Sequence, residues 1–156
     1  MGVITTTSKL ARPVVHGLEF LRPLLDLGIR LYVANIFWKS GLTKVANFDT
    51  TVALFTDEYK VALLSPELAA ASAIFVELVF PLLLAVGLGG RLAAAVLFVF
   101  NIIAVISYPD LNEIGIKDHF YWGILLLLPL LHGPGRLSID HYLRQRWMRP
   151  EAGHVK

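Results

Sequence analysis

The 156-residue chain contains no cysteine. That absence excludes disulfides, thiolate nucleophiles, iron-sulfur ligation and CxxC chemistry of the chain's own, so any redox work would need a bound cofactor or a partner. Charge is scarce too: 17% of residues are Asp, Glu, Lys or Arg, against roughly 25% in soluble domains. No GxGxxG or Walker pattern and no Ser-His-Asp logic is visible, which leaves nucleotide binding and hydrolase chemistry without support. Metal binding lacks an HxxxH signature. Nothing points to nucleic acid.

What is abundant is apolar sequence. Hydrophobic residues make up 56% of the chain, and the mean hydropathy is +0.64. Four stretches recur, at about residues 21–40, 68–88, 92–108 and 114–131. Each approaches the roughly 20 residues that cross a hydrocarbon core of about 30 Å. The fourth spans only if Lys117, Asp118 and His119 belong to its outer turn. The expected fold is therefore an all-α membrane protein, a bundle of four transmembrane helices, with the first span an uncleaved anchor.

Basic residues orient this bundle. Lys9, Arg12, Arg22, Arg91, Arg136, Arg144, Arg146, Arg149 and Lys156 fall on one side. Lys39, Lys44, Lys60 and Lys117 fall on the other, diluted by acids. The positive-inside rule then puts both termini in the cytoplasm. Residues 1–20 form a cytoplasmic segment, 21–132 the membrane domain, and 133–156 a basic cytoplasmic tail. In the long outer loop, Phe48, Val52, Phe55, Tyr59 and Leu63 recur at helical spacing. In the tail, Gly133, Pro134 and Gly135 stop the fourth helix. Ser138 can then cap a short amphipathic helix at the inner headgroup surface, with Ile139, Tyr142, Leu143 and Trp147 on its apolar face.

Ionisable and polar residues inside spans are functional candidates by default. Asp26 and Arg30 share one face of the first span, four residues apart. Glu77 and Asn101 lie near the middle of the second and third, at a depth that counting from the span ends makes similar to that of Arg30. These four form the expected buried polar site, for a quinone carbonyl or a small anion, or else a packing cluster in which Asp26, Arg30 and Glu77 neutralise one another. A second candidate, on the outer side, combines Lys44, Asp118, His119 and Trp122; interfacial anchoring also accounts for Trp122. Arg91, Arg136 and Asp140 mark the cytoplasmic turn and tail. His119 and His132 invite a haem reading, but thirteen residues at about 100° each leave them about 140° apart around one helix. Haem is therefore not expected.

The same residues carry a family resemblance. "RLYVANIFWKSGLTK", "ELVFPLLLAVGLGGRLAA", "SYP", "DHFYW" and "GPGRLSIDHYL" resemble the DoxX family in order and spacing, from about Leu24 to Leu143. Ala34 stands where the first motif more often has glycine. The resemblance implies a four-helix inner-membrane protein of bacteria or archaea, associated with quinol-oxidase or thiosulfate:quinone oxidoreductase subunits and with stress or sulfur redox complexes. It singles out Arg30, Lys44, Glu77, Arg91 and His119. The expectation is a small accessory subunit of a quinone-linked oxidoreductase rather than an enzyme by itself. Its surroundings would be membrane lipid, a soluble or membrane oxidoreductase, and other copies of itself. The alternatives are a ligand-free assembly scaffold and a small solute or anion carrier.

Overall fold

The computed structural model describes residues 2–61 and 63–147, with side chains from Val15 onward. The side chains of Lys9 and Arg12, and the tail residues Arg149, His154 and Lys156, lie outside the described residues. Among the described residues all regular structure is helical: α1 (Gly2–Ala46), α2 (Phe48–Asp57), α3 (Pro66–Val86), α4 (Gly90–Ser107), α5 (Glu113–His132) and α6 (Ile139–Trp147).

Helices α3, α4 and α5 match the last three predicted spans to within two residues at each end. All three are long and apolar enough to cross a membrane. Their limits follow from local chemistry. Ser65 caps α3 by accepting from the Leu68 amide, Pro66 occupies its first position, and Gly87 ends it in the left-handed region at φ 68°, a conformation glycine adopts without a Cβ penalty. Asn112 caps α5 in the same manner, accepting from the Gly115 amide. Helix α1 departs from its predicted limits, because it continues unbroken on both sides of residues 21–40. Its 45 residues extend about 68 Å, more than twice the hydrocarbon thickness. Asp26, Arg30 and Lys39 also make it more charged than the other three.

α1 packs along α3, α3 on α4, α4 on α5, and α5 back on α1. Between them lies a core of Val33, Phe37, Leu84, Ala93, Ala94, Leu97 and Leu126. Phe37 meets Phe100 and Trp122 edge to face, at centroid distances of 6.3 and 6.2 Å. Alanines 69, 70, 73, 93 and 94 are buried where helices meet, and small residues of this kind allow the close backbone approach on which helix association in lipid depends. The opposite faces are exposed and apolar: Leu68, Phe75 and Leu82 on α3, Leu92, Val99 and Ile106 on α4, Phe120, Ile124 and Leu131 on α5. Water would penalise such a surface and hydrocarbon would not. This is the surface of a membrane protein.

Two sets of connections close the ends. At one, helix α2 packs on α3 and the chain after it reaches the end of α4: the Lys60 amide donates to the Ser107 carbonyl (2.8 Å), and Tyr59 stacks between Phe55 and Tyr108 at 4.7 and 4.9 Å. The predicted face of α2 thus runs from Phe48 to Phe55, whereas Tyr59 and Leu63 lie beyond the helix and Leu63 is fully exposed. At the other end, Ser138 accepts from the His141 amide as the expected cap of α6. Asp140 does something no local pattern announced. Its carboxylate accepts from the Gly89 and Gly90 amides at 2.8 and 2.9 Å, and its own amide donates to the Gly87 carbonyl at 3.0 Å. An acidic group from α6 therefore caps the N-terminus of α4, where free amides and the helix dipole favour negative charge.

Replacing Asp140 by alanine removes both acceptors, and should cost about 1–2 kcal/mol. Thermal unfolding in detergent should show a lower midpoint for Asp140→Ala and a smaller decrease for Asp140→Asn. An unchanged midpoint for the alanine variant would remove this cap from the account.

Candidate functional site

Gly41 determines how α1 meets α3. A Cβ there would lie 2.8 Å from Leu78 Cδ2 and 3.0 Å from Glu77 Cβ, so only glycine permits this approach without displacement. Ser40 and Lys44, one helical turn apart, consequently reach Glu77. Lys44 Nζ donates to Glu77 Oε1 and Oε2 at 2.9 and 2.7 Å. Ser40 Oγ donates to Oε1 at 3.0 Å and accepts from Lys44 Nζ at 2.7 Å. Glu77 is only 4% exposed, while the Lys44 side chain keeps 20% of its surface. The pair is thus a carboxylate sealed in the bundle behind a cation that reaches its edge. Pro81 adds a further polar atom. Lacking an N–H, it cannot donate to the carbonyl of Glu77, one turn before it.

A second polar unit joins α4 to α5. Asn101 Nδ2 donates to the His119 carbonyl at 2.8 Å, and Asn101 Oδ1 faces His119 Nδ1 at 2.8 Å. Because the amide nitrogen serves the carbonyl, the amide oxygen must accept from Nδ1–H, which leaves Nε2 as the ring's other functional atom. Gly123 makes room for the clamp, since a Cβ there would stand 3.4 Å from Asn101 Nδ2. The His119 ring lies 4.8 Å from that of Trp122, and Trp122 in turn meets Phe37 of α1.

The two units are neighbours. Lys44 acts electrostatically on His119, and Glu77 on Tyr59. Burial first, then the Glu77 and Glu58 carboxylates, push the Tyr59 phenol above its ordinary pKa. It remains a neutral donor beside the carboxylate at physiological pH.

This geometry redraws the two predicted clusters. Glu77 and Asn101 join Lys44, His119 and Trp122 at one end of the bundle, here called the carboxylate end. Asp118 is exposed and stays outside this group. Arg30 and Asp26 lie at the opposite, guanidinium end, with Arg91, Arg136 and Asp140. Arg30 does not meet Glu77. Its Nη1 donates to the carbonyls of Leu84 (3.2 Å) and Ala85 (3.1 Å), and its Nη2 to that of Leu137. Those α3 carbonyls belong to the last helical turn, where acceptors lack intrahelical donors and the dipole is negative. Glu77 lies about 10 Å farther along the same helix. Among the described residues the Lys44–Glu77 pair is the only salt bridge, so Asp26 makes no ion pair with Arg30. Ser40, which links Lys44 to Glu77, was not among the predicted site residues, although its i, i+4 spacing to Lys44 is visible in the sequence.

Lys44→Met would strand a buried carboxylate, destabilising the fold on the order of 3 kcal/mol. The double variant Glu77→Gln/Lys44→Met should recover most of that loss in thermal unfolding; simple addition of two single losses would show that the groups are not coupled. Tyr59 supplies a pH test. Its raised pKa means that the folded chain holds this proton when the unfolded chain has released it. Stability should therefore fall as pH rises through the ordinary tyrosine range of about 10. Tyr59→Phe should flatten that decline.

A family model described as DoxX matches residues 25–109, a stretch that takes in Arg30, Lys44, Glu77 and Asn101 and ends before His119. No curated protein and no solved structure matches the chain.

Proposed function

The chain belongs to the DoxX family, and on that premise we propose that it is a small multi-pass subunit of a quinone-linked redox module in the inner membrane, with the carboxylate end as its quinone site. α1 serves as the fourth span, its Arg30 relieved of isolation by carbonyls. The arginine-rich end, where the N-terminal part of α1, the α3–α4 turn and α6 gather, faces the cytoplasm by the positive-inside rule. In this reading residues 21–132 form the membrane domain, followed by the basic tail.

The observation that carries the reading is the Lys44–Glu77 pair: a buried carboxylate behind a cation at the bundle surface, at the depth of the His119 ring. A quinone, when bound, supplies the electron-carrying group. The chain's own residues would supply the rest. The Tyr59 hydroxyl is a donor suited to a carbonyl oxygen, the half-buried Trp122 offers an aromatic face to a planar ring, and Glu77, held by Lys44 and Ser40, can hold a proton. Electrons would come from a partner oxidoreductase, since a chain without cysteine has no thiol or iron-sulfur chemistry of its own.

The test is extractable quinone per protomer after purification in a mild detergent. Near-stoichiometric quinone is expected in the wild type and in Arg30→Met, whose change lies at the other end. It should be lost in Glu77→Gln/Lys44→Met. No enrichment over bulk lipid would remove the quinone site, and would leave the Glu77 hydrogen bonds as packing in an assembly scaffold.

A further inference from the structure

The guanidinium end carries an open-mouthed cavity of about 610 Å³, within the roughly 300–1,000 Å³ typical of small-ligand sites. The redox reading makes no use of it. Four arginines line it, each from a different segment: Arg22 of α1, Arg91 of α4, Arg136 of the α5–α6 connection, and Arg144 of α6. Three acids share the lining, Glu19, Asp26 and Asp140. Asp140 is already committed, both oxygens accepting from the Gly89 and Gly90 amides. The cations therefore exceed the acids still free to answer them.

A second observation comes from a niche next to the cavity. Arg30 is 1% exposed, and its Nε has no hydrogen-bond partner. It lines a niche of about 10 Å³ that shares Asp26 and Gly133 with the large cavity. That is roughly the space of one water. The cavity thus has beside it a buried guanidinium with one unpartnered N–H, at Nε, as well as arginines around its mouth.

Its position selects the ligand. Phe20 lines the cavity and is 78% exposed. Leu24 of α1 and Leu131 of α5 carry the apolar surface onward along the helices, at 54% and 66% exposure. On α6, Tyr142 and Trp147 are likewise exposed, as befits residues at a headgroup layer. A ligand here meets arginines at one end and bare aliphatic helix faces at the other. We propose that this cavity binds the phosphate headgroup of an anionic phospholipid, its acyl chains lying along α1 and α5. Guanidinium groups match phosphate oxygens in geometry and charge, and basic pockets between helices at the cytoplasmic surface are suited to such headgroups.

The experiment uses the full chain in a neutral detergent, following the unfolding midpoint during titration with phosphatidylglycerol, with phosphatidylcholine, and with inorganic phosphate. A saturable rise with phosphatidylglycerol alone is expected. Arg136→Gln/Arg144→Gln, two exposed arginines, should weaken its apparent affinity by about tenfold or more, with the lipid-free midpoint unchanged. Lys39→Gln, at the opposite end, should leave the affinity as it was. An equal rise with phosphatidylcholine would overturn the proposal, as would an undiminished affinity in the arginine variant. An equal, competing response to inorganic phosphate would assign the cavity to a soluble anion and overturn the lipid.

Discussion

The antiparallel register of α1 against α3 places the two buried charges of α1 and α3, Arg30 and Glu77. Gly41 allows the two backbones to approach at Leu78 and Glu77, and a shift of one turn would bring a side chain into that contact. With the register held there, Ser40 and Lys44 fall on Glu77. Some ten residues earlier on α1, Arg30 falls on the last carbonyls of α3. Both charges are thereby answered, one by a carboxylate and one by peptide dipoles. Neither would be tolerated in lipid with its partner a turn away.

The ends of the bundle consequently differ in chemistry. The carboxylate end is aromatic and internally bonded, with Tyr59, Tyr108, Phe37 and Trp122 around the Lys44–Glu77 and Asn101–His119 units. The guanidinium end is hollow and rich in arginine. One end offers a few oriented donors next to a sealed proton acceptor; the other offers charge and volume.

The spans were legible because runs of apolar residues are bounded by strong local signals, Ser65 with Pro66 and Gly87 for α3 and Asn112 for α5. The Ser138 cap and the apolar face of α6 were legible for the same reason. The identities of the intramembrane polar residues were also legible, but their partnerships were not. The apolar run of the first span begins at Leu21, whereas α1 is helical well before that point and its register is fixed by Gly41. Depth measured from Leu21 sets Arg30 level with Glu77, but it stands level with Leu84. Asn101 and His119 carried no mutual mark in the sequence beyond Gly123, one turn after the histidine. Asp140 read as a tail residue because its acceptor role spans about fifty positions of chain, beyond the range of any local pattern.

That long-range role bears on the order of events during synthesis. Chains fold from their N-terminal side as they emerge, so the α3–α4 hairpin is made well before Asp140. Until α6 arrives, the Gly89 and Gly90 amides lack their carboxylate, the Gly87 carbonyl lacks the Asp140 amide, and Arg30 lacks the Leu137 carbonyl. Helix α6 is therefore a latch: the hairpin can enter the bilayer early, but its turn is locked only once α6 has been made.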